Sequence, residues 1–196
     1  MTRLESQAKA AFSFVERLYF EISYLIKEVE GQLQQEEEEF VIGRPSGYAV
    51  QSRTSSGLEP VNVEKWLPRT FSVFFVPRNS TELRGGQTIT PFGQHLRPLM
   101  LHIELVGKHI ENPRILAGCL WDIRSLKANQ KKFEHLMWEF SYNSVKIFAS
   151  LPRISYEDSY AAFEGRFVEK PLFSVSDSEA LVAEVIDPML KIYRQV

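Results

Sequence analysis

The residues able to do chemistry are few, and the first pair is His102 with Glu104. Two positions apart, they share one face of any extended strand. An imidazole beside a carboxylate is the unit of general acid–base catalysis and half of a metal site. Inside an apolar run it is also the ordinary form of a hydrogen-bonded sheet histidine, and that is the role expected here. His95, His102 and His109 recur every seven residues. Seven steps along a strand reverse the face, so the three do not converge.

Carboxylates offer no more. There are four aspartates, Asp122, Asp158, Asp177 and Asp187, whereas two-metal phosphoryl or nuclease chemistry needs carboxylates within a few ångströms of each other. Glu104 and Asp122 look suited until the hairpin that carries them is laid out. With its turn centred near residue 110, Glu104 faces Leu116, His102 faces Gly118 and Asp122 faces Pro98. The two carboxylates then stand on the order of 20 Å apart. Cys119 alternates with Ala117 and Trp121 on an apolar face, where a thiol stays protonated and inert. As the one cysteine, it excludes a disulfide within the chain. The phosphate-loop, dinucleotide-binding, nucleophile-elbow and His-Glu-x-x-His patterns are absent. Gly85-Gly86 precedes a poor helix start and reads as a flexible turn. No catalytic residue, metal-ligand set or cofactor is assigned.

One constellation remains. Trp66, Arg69, Arg78, Arg84, Phe92, His95 and Arg97 put arginines among aromatic side chains. Guanidinium groups beside aromatic rings suit nucleic-acid phosphates and bases, or an acidic protein surface. The binding candidates are therefore Arg78, Arg84 and Arg97, with Trp66, Arg69 and His95 around them. If they form a patch, Arg78, Arg84 and Arg97 gather at one end of a sheet rather than pairing with Glu82 or Glu104.

Charge is unevenly spread. Residues 66–135 carry 10 basic and 5 acidic side chains, a balance of +5, within a chain of net charge −2. Such asymmetry marks an anionic partner or simply internal pairing. At 196 residues, 44% of them hydrophobic and 24% charged, the chain has the composition of one ordinary globular domain, 1–196. No apolar run approaches the roughly 20 residues that cross a bilayer. With no signal-peptide pattern either, a cytoplasmic protein without membrane contact is expected.

The elements that must position these residues follow from periodicity. Leu99, Leu101, Ile103 and Leu105 alternate, as do Ile115, Ala117, Cys119, Trp121 and Ile123, with Gly107, Asn112 and Pro113 between. This predicts a long β-hairpin over residues 96–124 with one buried face, Trp121 and Ile103 lying together beneath an N-terminal helix. That helix opens on Thr2 and Glu5, a capping-box pair. Ala8, Ala11, Val15, Leu18, Ile22, Leu25 and Val29 follow 3-4 spacing, and the helix spans about residues 1–35. At 1.5 Å per residue it is on the order of 50 Å long and outruns a five-strand sheet, so one end projects.

Further strands are expected at residues 48–53 and 69–76, the latter apolar on both faces and therefore central. Others are expected at 145–151 and 160–168, with an edge at 172–175, and a helical turn at 63–67. Residues 79–94 read as a long loop. Phe133, Leu136, Met137 and Phe140 mark an inserted helix near 127–140. The final helix, 177–195, should kink after Ile186 because Pro188 lacks a donor. The fold class is α+β: a mainly antiparallel sheet of five to seven strands spread over residues 46–175, covered by a long N-terminal and a C-terminal helix.

The function expected is that of a non-catalytic protein-interaction or accessory module, oligomerising through its N-terminal helix. The alternative is a nucleic-acid-binding protein, or a divergent enzyme, working through the basic central third.

Overall fold

Most of the period-two segments form strands, and the long 3-4 stripes form helices. The computed structural model describes residues 3–44, 46–50, 67–91, 93–107, 110–126 and 133–196. Trp66, Phe92 and His109 lie outside them, as do Thr2 of the capping box, most of the helical turn placed at 63–67, and Lys127, Lys131 and Lys132 of the inserted helix.

In chain order the elements are α1 (Arg3–Leu33), β1 (Phe40–Ile42), β2 (Tyr48–Val50), β3 (Thr70–Pro77), β4 (Glu82–Arg84), β5 (Gln87–Ile89), β6 (Leu99–Glu104) and β7 (Arg114–Ser125). Then come α2 (Phe133–Ile147), β8 (Arg153–Glu157), β9 (Ala161–Pro171), α3 (Ser178–Leu181) and α4 (Asp187–Tyr193). Among the described residues the main sheet has seven strands in the order β1-β3-β6-β7-β9-β8, with β2 also on β3. Every pairing is antiparallel. β1 and β2 lie end to end along one edge of β3, joined by a turn in which Gly43 donates to Phe74 O and Gly47 O accepts from Phe74 N. A side chain at Gly47 would collide with Gly43 O, which explains glycine there.

The two faces of the sheet feed two cores. Phe71, Val73, Phe75, Leu99, Leu101, Ile103, Ile115, Ala117 and Cys119 pack under the C-terminal half of α1 and under α4. Phe74, Met100, Leu116, Leu120 and Phe167 pack under α2 through Leu136, Met137 and Phe140, so the hairpin expected to bury one face is buried on both. The result is α+β, with helices on both faces of an antiparallel sheet.

Several expectations are corrected. Gly107 and Ile110 form a bridge at the end of the hairpin, and the two residues between them lie outside the described residues. The register is shifted by two from that of a turn at 110, so Glu104 faces Arg114 and His102 faces Leu116. Strand β7 is irregular between Trp121 and Arg124, where Asp122 adopts φ 50°. One extra residue reverses the alternation. Ile123 therefore joins the α2-side core, while Trp121 is half-buried beside Ile192 of α4 and Val196 beyond its end, not beneath α1.

The segment 145–151 continues α2 and ends in a 3-10 turn, Phe148–Ser150, because its apolar residues complete the helical stripe. Leu172–Ser174 is likewise a 3-10 turn, held by the Leu172 N–H on Pro113 O. Within 79–94, β4 and β5 form a separate hairpin around Gly85 (φ 56°) and Gly86 (φ 80°). Two positive φ values make a tight hairpin turn that favours glycine. Before Pro188 the last helix widens into a π turn, Val182–Ile186, with the Asp187 N–H reaching Val182 O. That is how the helix accommodates a residue without a donor.

Candidate functional site

Alternation along β3 and β6 brings Ser72 directly opposite His102. Glu104 follows one pleat later, opposite Arg114 on β7. Ser72 Oγ and His102 Nδ1 are 2.6 Å apart, and His102 Nε2 lies 3.3 Å from Glu104 Oε1. Arg114 Nε donates to Glu104 Oε2 at 2.7 Å, and its Nη1 donates to Glu169 Oε1 at 3.0 Å. Burial by itself would raise the Glu104 pKa. The hydrogen bond and charge of His102, with those of Arg114, outweigh it and hold the carboxyl at about 2. The order hydroxyl, imidazole, carboxylate is that of a hydrolase relay. Here the hydroxyl is sealed: Ser72 is 2% exposed and His102 0%, with the Phe148 and Phe140 rings over the imidazole. The line ties four strands together as a polar seam of the core. Cys119 is equally enclosed, and burial pushes its thiol up to about 12.

The basic candidates are partly united. His95 and Arg97 line one cleft of about 690 Å³ with Glu38, Tyr193 and Arg194. Arg78 sits at its margin, between the lining residues Pro77 and Asn79, and its Nε is 2.9 Å from Glu39 Oε2. Arg84 belongs to the separate hairpin and pairs with Glu82 at 2.5 Å. Arg97 donates to the main-chain oxygen of Val196, and Arg194 to Glu36 at 2.9 Å. Where the sequence suggests guanidinium groups clustered without carboxylates, Arg78 and Arg84 are thus each held by a glutamate, which cancels much of their field. Arg69 adjoins the opposite end of β3 and has interactions of its own.

The remaining feature is the N-terminal half of α1. From Ile22 onward its apolar stripe is buried, with Val29 and Leu33 in the core. The same stripe continues toward the N-terminus through Leu18, Val15, Ala11, Ala8 and Leu4, and residues 3–14 are all exposed. Leu4 is 76% exposed, Phe12 70% and Phe14 64%. At 1.5 Å per residue, residues 3–17 form an arm about 22 Å long. At its root lies a groove of about 520 Å³, walled by Leu18, Ile22 and Leu25 on one side and by Phe173, Val175 and Leu181 on the other. Glu21, Glu28 and Asp177 stand on its rim. No residue of the arm was among the sequence's binding candidates. The available signal was the 3-4 spacing carried beyond the width of the sheet.

Fold and site together define an α+β protein with an N-terminal helix that outruns its sheet. Comparison with protein-family profiles, curated proteins and solved structures finds no match. Among the described residues no three His, Cys, Asp or Glu side chains are grouped to hold a metal ion. No helix among them is long and apolar enough to cross a membrane.

Proposed function

We propose that this chain is a non-catalytic protein-interaction or accessory module, and that the N-terminal half of α1 is its docking element. The observation that carries this reading is the apolar stripe through Leu4, Ala8 and Ala11, left bare beyond the sheet while its continuation puts Ile22, Val29 and Leu33 in the core. Contiguous exposed apolar surface on a folded protein marks a place where something else packs. An amphipathic helix laid into an apolar groove is a common form of recognition. Nucleic-acid binding through the central third has less support, because phosphate contacts need uncommitted cations and Arg78 and Arg84 already serve carboxylates.

The test is the double variant Phe12→Ser/Phe14→Ser. Both rings are exposed, so the fold should be unchanged by circular dichroism and thermal melting. The assembly in which the wild-type chain elutes from its native cell should be lost. An unchanged elution position would remove the arm as the docking element.

A further inference from the structure

We infer that the occupant of the arm is a second copy of this chain, packed antiparallel, with each arm seated in the groove of the other copy. This rests on the docking reading above and adds the identity of the partner.

The arm and the groove lie on one continuous line. Leu4, Ala11, Leu18 and Leu25 recur every seven residues. Along a straight α-helix such a row turns by about 20° per heptad. It starts on the exposed arm and ends inside the groove, which Leu18 and Leu25 both line. A helix following this row therefore passes from bare arm into groove without leaving apolar surface. Ala8 and Ala11, small and exposed on the arm, allow close approach midway.

Charge selects the orientation. The arm carries Arg3, Lys9 and Arg17 against Glu5 and Glu16, and its first turn is the positive end of a helix dipole. The rim of the groove is acidic through Glu21, Glu28 and Asp177. Antiparallel pairing that levels Leu4 of one copy with Leu25 of the other also levels Ala11 with Leu18. It delivers Arg3 and the positive helix end to the Glu28 and Asp177 side of the rim. A parallel pair would leave both acidic rims together. A two-fold arrangement covers both apolar features of both copies at once, as closed symmetry requires.

The experiment is sedimentation equilibrium of the full chain, with charge-exchange variants. The wild-type chain should be dimeric at about 100 µM, a concentration at which even micromolar association is nearly complete. Ala11→Glu puts a carboxylate at the centre of the contact and should give a monomer with an unchanged circular dichroism spectrum, melting as the wild-type chain does when diluted below its association range. Ser13→Glu, exposed on the opposite side of α1, should leave the dimer intact. Arg3→Glu and Glu28→Lys should each weaken association roughly threefold, the range of an exposed ion pair. Combined in one chain they should restore it, because the two-fold brings the exchanged charges back together. A wild-type monomer at that concentration, or failure of the combined variant to restore association, overturns the second copy as occupant. If the wild-type chain is monomeric alone yet Ala11→Glu abolishes its assembly in the native cell, the docking reading stands with a different partner. If Ala11→Glu changes neither, both fall.

Discussion

The seam from Ser72 through His102, Glu104 and Arg114 to Glu169 and the arm of residues 3–17 are opposites in their placement of polar atoms. The seam buries a hydroxyl, an imidazole and a carboxylate in the sheet and ends on the half-buried guanidinium of Arg114, each with a partner within 3.3 Å. The arm holds leucine, alanine and phenylalanine exposed, outside both cores of the described residues. A buried polar group is tolerated when its partners are in place, and is costly when one is missing. An exposed apolar stripe costs little within one chain and becomes favourable when a second surface covers it. The seam is therefore complete within the molecule, and the arm is the part on which the proposed docking rests.

The sharpest way to break this contrast is to remove one member of the seam. Glu104→Ala leaves Arg114 and His102 without their shared partner and should cost roughly 3–5 kcal/mol in denaturant unfolding, as deletion of one side of a buried pair does. A loss below about 1 kcal/mol would mean that the seam is hydrated rather than sealed. Leu101→Ala, beside it on the other face and 1% exposed, should cost roughly 2–5 kcal/mol by loss of burial and cavity formation. An unchanged melting temperature would contradict the assignment of that face as core.

Acid titration sharpens the same point. The folded-state pKa of Glu104 is depressed from 4.5 to about 2. The stabilisation this carboxylate provides is therefore fully present above about pH 4.5 and disappears as pH falls toward 2. Its size is on the order of 3 kcal/mol. In Glu104→Gln that part of the acid dependence should vanish, measured by urea unfolding at a series of pH values. An identical pH profile in the two proteins would place the depression elsewhere.

The arm should behave in the opposite way. Phe12→Ser/Phe14→Ser should change monomer stability by about 0.5 kcal/mol or less, as exposed positions do. A similarly small effect is expected from Arg78→Ser/Arg84→Ser/Arg97→Ser: stability within about 1 kcal/mol of wild type over the three sites together, with retention on heparin unchanged. A large drop in salt-dependent retention would return the central third to consideration as an anion-binding surface.

Much of this was legible in the residues themselves. Strict alternation at Leu99–Glu104 and through Ala117 and Cys119 can bury one face only as strands, and 3-4 spacing from Ala8 to Val29 can do so only as a helix. The helix length is a matter of counting, so its projection beyond the sheet follows without knowledge of the fold. The one-residue irregularity at Asp122 is a local backbone choice with no periodic signature, and it moves Ile123 to the other core. The two-residue difference in register goes with the way Gly107 and Ile110 meet across the hairpin, and only that register puts Arg114 beside Glu104. Glu39, which holds Arg78, comes from a segment remote in sequence and folded against it, whereas Glu82 stands two residues from Arg84 on β4 itself and its pairing was open to a local reading. Periodicity is a property of one segment, and sequence states it directly. Register, ion pairing and the groove at the root of α1 are relations between segments, and those exist only once the chain has packed.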